Sequence, residues 1–227
     1  MRAAEVTRPR STCSAIFTPY FARRADLHNR INTIFITHTH IDHDSNLAAV
    51  TQAFSVAGYV DNGIDHGSGR VPYKWMHDRA AAPGSGIALE DIHEPAVVAA
   101  GAQGLTDHVI DPVDCQGVDP EIHILSGEYD INPGWSAANF ENGNNQSLVI
   151  RVDFGQASFL FTGDMEETAI PTLMGHWQGT SMLDADVWEV GHHGSANGTT
   201  PALLAAITPE VAVISMGRET PHEQWTA

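Results

Sequence analysis

The chain is poor in cysteine: Cys13 and Cys115 are the only two among 227 residues, and no spacing relates them to each other or to the histidines. That argues against a disulfide framework and against thiolate ligation, and reads as two free thiols. Basic residues are scarce as well, 11 Lys and Arg against 28 Asp and Glu, for a formal net charge of −17. A chain so short of cations has little with which to neutralise phosphates, so extended nucleic-acid binding is not expected. A nuclease is still allowed, because metal ions can supply positive charge locally. No apolar run approaches the ~20 residues of a membrane-spanning helix. The basic opening Met1-Arg2-Ala3-Ala4 to Arg10 is followed by no apolar core segment, so it does not read as a secretion signal. A soluble, cytoplasmic protein without a membrane partner is the expectation, its oligomeric state open.

What is present is an ordinary apolar content of 42%, which over this length suits one domain spanning residues 1–227. Apolar, β-branched runs read as strands at 31–37, 121–126, 147–154, 157–162, 185–190 and 210–215, with a shorter one near Tyr59-Val60. Gly155-Gln156 joins two of them as a hairpin turn. Helices are expected at 17–29, 45–57, 72–81, 166–175 and 200–207. The stretch 82–120, rich in Gly, Pro and Asp, carries no clear pattern. Strands interspersed with helices plus one hairpin indicate a layered α/β domain with mixed sheets.

Thirteen histidines are the abundance that matters, and they are not spread evenly. His38-Thr39-His40-Ile41-Asp42-His43 places three imidazoles and a carboxylate on the turn leaving the strand 31–37. Imidazole and carboxylate are the donors that zinc prefers and that manganese and iron accept. Gly163-Asp164 follows the strand 157–162, and Gly191-His192-His193-Gly194-Ser195 follows the strand 185–190. Strand ends on one edge of a layered sheet can build a site from distant segments.

Together these three clusters resemble the metallo-β-lactamase fold superfamily of dinuclear metallohydrolases. Asn144-Asn145-Gln146-Ser147-Leu148-Val149-Ile150-Arg151, Phe159-Leu160-Phe161-Thr162-Gly163-Asp164 and Pro209-Glu210-Val211-Ala212-Val213-Ile214-Ser215 are similar to its ComEC-like branch, found in DNA-uptake competence proteins and soluble relatives. The likeness runs over about residues 30–222. It implies a four-layer αββα sandwich of two mixed β-sheets flanked by helices. It also implies two divalent metal ions, zinc first, with His38 and His40 on one, Asp42 and His43 on the other, and Asp164 bridging. His193 would complete the second site and His192 would face substrate, although the sequence leaves open which of the two is the ligand. A water with lowered pKa would attack a phosphoryl or carbonyl centre, with Asp42 orienting it. His222 corresponds to a position at the pocket mouth.

The chain departs from the family pattern in two places. Where many members carry a further histidine before the strand at 147–153, this chain has Asn142, Asn144 and Asn145, so Asn144 and water are expected to supplement the first metal or to meet substrate. The family's strand pair ahead of the first motif has no counterpart in the opening thirty residues, and the chain stops soon after His222; an N-terminally truncated domain is therefore expected. A small anionic ester, most of all a phosphodiester, is the expected substrate. A carboxylic ester or lactone of the acyl-homoserine lactone kind is the enzymatic alternative, and an inactive metal-binding domain the other. Asp61-Asn62-Gly63 reads as a turn. His66, His77, His93, His108 and His123 show no ligand spacing, with His123 expected on a solvent face. Trp135 is a candidate pocket wall or a packing residue.

Overall fold

The structure is a computed structural model that describes residues 13–216. In chain order it contains α1 (Cys13–Arg23), β1 (Arg30–Phe35), α2 (Ile41–Asp44), α3 (Leu47–Ala53), β2 (Ser55–Asp61), α4 (Arg70–Ala81), β3 (Ala88–Asp91) and α5 (Glu94–Ala100). There follow β4 (Pro120–Ser126), α6 (Ala137–Phe140), β5 (Val149–Phe154), β6 (Ala157–Phe161), α7 (Ile170–His176), β7 (Val187–Glu189), α8 (Pro201–Ile207) and β8 (Val211–Val213). One sheet has the order β1-β2-β3, all parallel. The second has the order β4-β5-β6-β7-β8: the hairpin and its outer neighbour pair antiparallel, and β6, β7 and β8 run parallel.

Alternation along the strands sets the layers, because successive side chains point to opposite faces. In β2, Val60 joins the large core with Ile124, Leu125 and Ile150 of the second sheet, so the two sheets face one another. Its neighbour Tyr59 turns the other way, to Met76 of α4 and Leu47 of α3. In β1, Phe35 packs on the large core while Ile34 packs toward the helices. On the far side, Leu173 and Trp177 of the α7 segment and Leu203 and Ile207 of α8 share the core with Leu160 and Trp188. Helix, sheet, sheet, helix is the resulting sequence of layers, the sandwich the family likeness implies.

Several boundaries differ from expectation for local reasons. The helix expected at 17–29 closes at Arg23, and His28 and Asn29 take left-handed φ values of 49° and 53° ahead of β1. The helix expected to run to 57 ends at Ala53, where Phe54 becomes extended and β2 starts at Ser55. The stretch 82–120 holds β3 and α5; β3 is short and mostly exposed, so it lacked an apolar signature. α7 begins at Ile170 with Pro171 in its first turn, four residues later than the pattern suggested.

Candidate metal centre

β1 runs toward Thr37, and His38 is fully buried behind it. His40 is extended (φ −117°, ψ 146°) and caps the single-turn α2, which lifts Asp42 and His43 back over His38. Asp164 comes from the opposite sheet through Gly163, whose φ is +54°. A β-carbon on Gly163 would lie 2.9 Å from both Thr37 Cβ and Ser147 Cβ, so only glycine lets the two segments meet. Third, Gly191-His192-His193-Gly194 leaves β7 with both histidines in left-handed conformation, φ 50° and 54°. Consecutive non-glycine residues in that region cost on the order of 1–3 kcal/mol each and persist where the surroundings enforce them.

The three segments converge on one carboxylate oxygen. Asp164 Oδ2 lies 3.1 Å from His43 Nε2, 3.3 Å from His193 Nε2 and 3.7 Å from His38 Nε2. Asp42 Oδ2 lies 3.1 Å from His193 Nε2 and 3.7 Å from His43 Nε2. His40 enters through His38, whose Nε2 is 3.1 Å from His40 Nδ1. The expected ligands His38, His40, Asp42, His43, Asp164 and His193 therefore share one cluster. His192 sits on the flank, its Nδ1 2.9 Å from Asn197 Oδ1 and 3.8 Å from Glu166 Oε1. His222 lies outside the described residues.

Outer contacts aim these rings. Thr37 Oγ1 and Ser147 Oγ stand 3.1 and 3.4 Å from His38 Nδ1, which turns Nε2 to the centre. Ser147 Oγ also accepts the Asp164 backbone N–H at 3.1 Å. His193 Nδ1 faces the Ser215 carbonyl at 2.8 Å, a partner that presents Nε2 to the two carboxylates. Asn144 is not aimed as a ligand through its amide nitrogen, which donates to Glu166 Oε1 at 2.7 Å. Its Oδ1 is buried with no partner, and the loop passes close enough that a β-carbon on Gly143 would sit 3.6 Å from His40 Nε2. Glu166 also accepts from Asn142 at 3.2 Å, and sequence reasoning missed it as the hub of this flank. Its only signal was its place two residues after Asp164.

Electrostatics follow from this crowding. Burial drives the His38 imidazole down to about 3, with repulsion from His43 adding to it, so it is held neutral with its lone pair available. His40 is lowered too, again by burial first. Asp42 is pulled down to about 2 by its hydrogen bond with His193. For Asp164 burial works upward, yet hydrogen bonds from His193 and His43 hold it well below the usual carboxylate range. His193, between Asp164 and Asp42, is raised to about 11. Neutral imidazoles and ionised carboxylates are the ligand states that a divalent cation requires, and the proton on His193 marks where positive charge is wanted. The donor set of nitrogen and oxygen atoms fits zinc or manganese.

Beside His43 a cleft of about 570 Å³ opens among the described residues, lined by Phe35, Ile122, Ile150, Val152 and Phe161 with Glu189 at the polar end. Burial first, then the Asp164 charge, pushes the Glu189 carboxyl up to about 7. Trp135 does not line this cleft. It packs on the core, edge-on to Tyr129 at 5.0 Å, and donates to Thr172 Oγ1. His123 is also more enclosed than expected, its Nδ1 buried without a partner.

Fold and site together define a two-sheet α/β protein with a histidine–aspartate cluster able to hold metal where the strand ends meet. The chain belongs to the metallo-beta-lactamase superfamily, whose family model matches residues 17–218. It is 29% identical over 144 residues to ComE operon protein 3 of Bacillus subtilis, covering 61% of this chain and 17% of that protein. It is 42% identical over 81 residues to Recombination protein 2 of Haemophilus influenzae, covering 34% of this chain and 9% of that protein. Competence protein ComA of Neisseria gonorrhoeae is 34% identical over 93 residues, covering 37% and 13%. These relatives place the chain in the ComEC-like branch. The chain spans less than a fifth of the length of each of them. Among the described residues no helix is long and apolar enough to cross a membrane.

Proposed function

We propose that the chain is a two-metal hydrolase of small phosphodiesters. What supports this reading is the convergence of His38, His43 and His193 Nε2 atoms within 3.7 Å of the single oxygen Asp164 Oδ2. His38, His40 and Asp164 would hold one cation, and Asp42, His43, His193 and Asp164 the other. When bound, the pair supplies a nucleophilic water at neutral pH and stabilises charge on the oxygen that leaves. Asp42, whose side chain is 57% exposed, faces solvent and would orient the attacking water by accepting its hydrogen bond. His193 stays fixed by Ser215, so it positions Asp42 without moving. His192 flanks the centre and would donate to the substrate's non-bridging oxygens, while Asn144, its amide N–H bound to Glu166, offers only its Oδ1 as an acceptor on that flank. His222 is assigned to the pocket mouth on the family likeness alone.

The choice of phosphodiester leans on relatives whose names connect them with competence and recombination. The net charge of −17 directs the choice to a small diester over a long polyanion. The apolar cleft beside His43 favours a second reading, an ester or lactone with an aliphatic acyl group. Metal analysis and turnover of bis(4-nitrophenyl) phosphate and of an acyl lactone separate these. Two equivalents of metal that are lost in the His43→Ala/Asp164→Ala variant, diester cleavage, and its loss by at least 100-fold in both Asp164→Ala and Asp42→Ala are expected. Lactone cleavage alone transfers the assignment to the second reading. Metal binding with neither substrate turned over identifies an inactive metal-binding domain.

A further inference from the structure

Away from this centre, on the first sheet, Asp61 and Asp91 are register partners at the ends of the parallel strands β2 and β3. Side chains opposite one another on one face of a sheet are close neighbours, and like charges there repel. His77, from α4, closes the group: its Nε2 is 2.9 Å from Asp61 Oδ2 and 3.7 Å from Asp91 Oδ1. One donor atom from each of the three lies within 4.8 Å of the others. We propose that Asp61, His77 and Asp91 form a second divalent-cation site, independent of the centre built on Asp164, that ties β2, β3 and α4 together.

Charge around the trio favours a cation. Across Gly63, whose β-carbon would lie 3.2 Å from Asp91 Cβ and 3.3 Å from Glu128 Oε2, stands a second group of His93, Glu128 and Asp130. His93 Nδ1 is 2.6 Å from Asp130 Oδ1 and 3.4 Å from Glu128 Oε2, so its charge is already engaged. His77 alone is left to serve the two carboxylates. An independent observation is the Tyr59 hydroxyl: the side chain is fully buried, and its hydroxyl, turned to the Asp61 carboxylate, reaches no described group in full hydrogen-bond geometry. Such a lone buried hydroxyl is costly unless something at the site completes it, as a cation's water would.

The donors are held in place before any ion arrives. Gly63 N–H donates to Asp61 Oδ1 at 2.8 Å, leaving Oδ2 inward, and Tyr73 Oη donates to the Gly63 carbonyl at 3.0 Å. The Tyr73 ring covers the His77 ring at 3.9 Å between centroids. Asp91, with its side chain 38% exposed, opens the site to solvent. Two carboxylates and one imidazole, with positions left for water, suit Mn²⁺ or Zn²⁺.

The test is titration of the metal-free full chain with Mn²⁺, read by electron paramagnetic resonance, in a His43→Ala/Asp164→Ala background that disables the first centre. One Mn²⁺ should remain bound, with a ¹⁴N hyperfine coupling. Adding Asp91→Asn should weaken it at least tenfold, and adding His77→Gln should remove the nitrogen coupling, with circular dichroism unchanged. No Mn²⁺ bound in a folded background variant overturns the proposal, as does a coupling that survives His77→Gln. In the otherwise native chain, Asp91→Asn should leave diester turnover unchanged, so failure of this site and failure of the hydrolase reading remain distinguishable.

Discussion

Glu90 shows how one carboxyl responds to its surroundings. Burial first, and then the nearby Asp107 charge, raises it from an ordinary 4.5 to about 7, and its Oε2 is enclosed without a partner. The folded chain therefore keeps a proton that the unfolded chain has released, so unfolding free energy falls as pH rises from about 4.5 to about 7. Glu90→Gln should remove that part of the decline, matching the native chain at pH 4 and exceeding it at pH 8 in urea denaturation. At the same scale, the histidines at 38, 40 and 43 were legible because they are close in sequence. His77 and His93 were not, since their carboxylate partners arrive from other strands and helices. Glu166 was missed for the same reason: its amide partners sit 22 and 24 residues earlier.

Among elements, α8 illustrates a helix whose start is written plainly. Thr200 Oγ1 accepts the Leu203 N–H at 3.1 Å, Pro201 opens the first turn, and Leu203 and Ile207 face the core. Thr200→Ala should cost about 1 kcal/mol in chemical denaturation, because one buried-end N–H loses its cap. The strands 149–154 and 157–161 were legible through their apolar alternation and turn, while β3 and α5 were not. β3 carries Ala88, Leu89, Glu90 and Asp91, a mixture with no period-two pattern, and only its pairing with β2 makes it a strand. The end of α3 was similarly decided by tertiary pairing, as Ser55 pairs with Arg30 before the helical pattern runs out.

For the molecule as a whole, stability and metal content should be linked. A cation that binds only the folded chain stabilises it by an amount that grows with the logarithm of free cation concentration over its Kd. Binding must also displace the proton that Asp164 and Asp42 hold on His193 up to about 11, so affinity rises with pH. Chelation should therefore lower the melting temperature more at pH 8 than at pH 6, the difference approaching about 1.4 kcal/mol per pH unit for one displaced proton, measured by scanning calorimetry. The layer order was foreseeable from the family likeness. That three patches meet was an inference from strand ends, and what the motifs did not contain was the second acidic cluster on the first sheet.

His43 and Asp164 are 121 positions apart, and Asp42 and His193 are 151 apart. Neither half of the polypeptide can therefore chelate by itself as the whole chain does. During synthesis, the first of the two sheets would be complete long before the last imidazole left the ribosome. Cation uptake by the whole donor set would thus come late, once both sheets have docked.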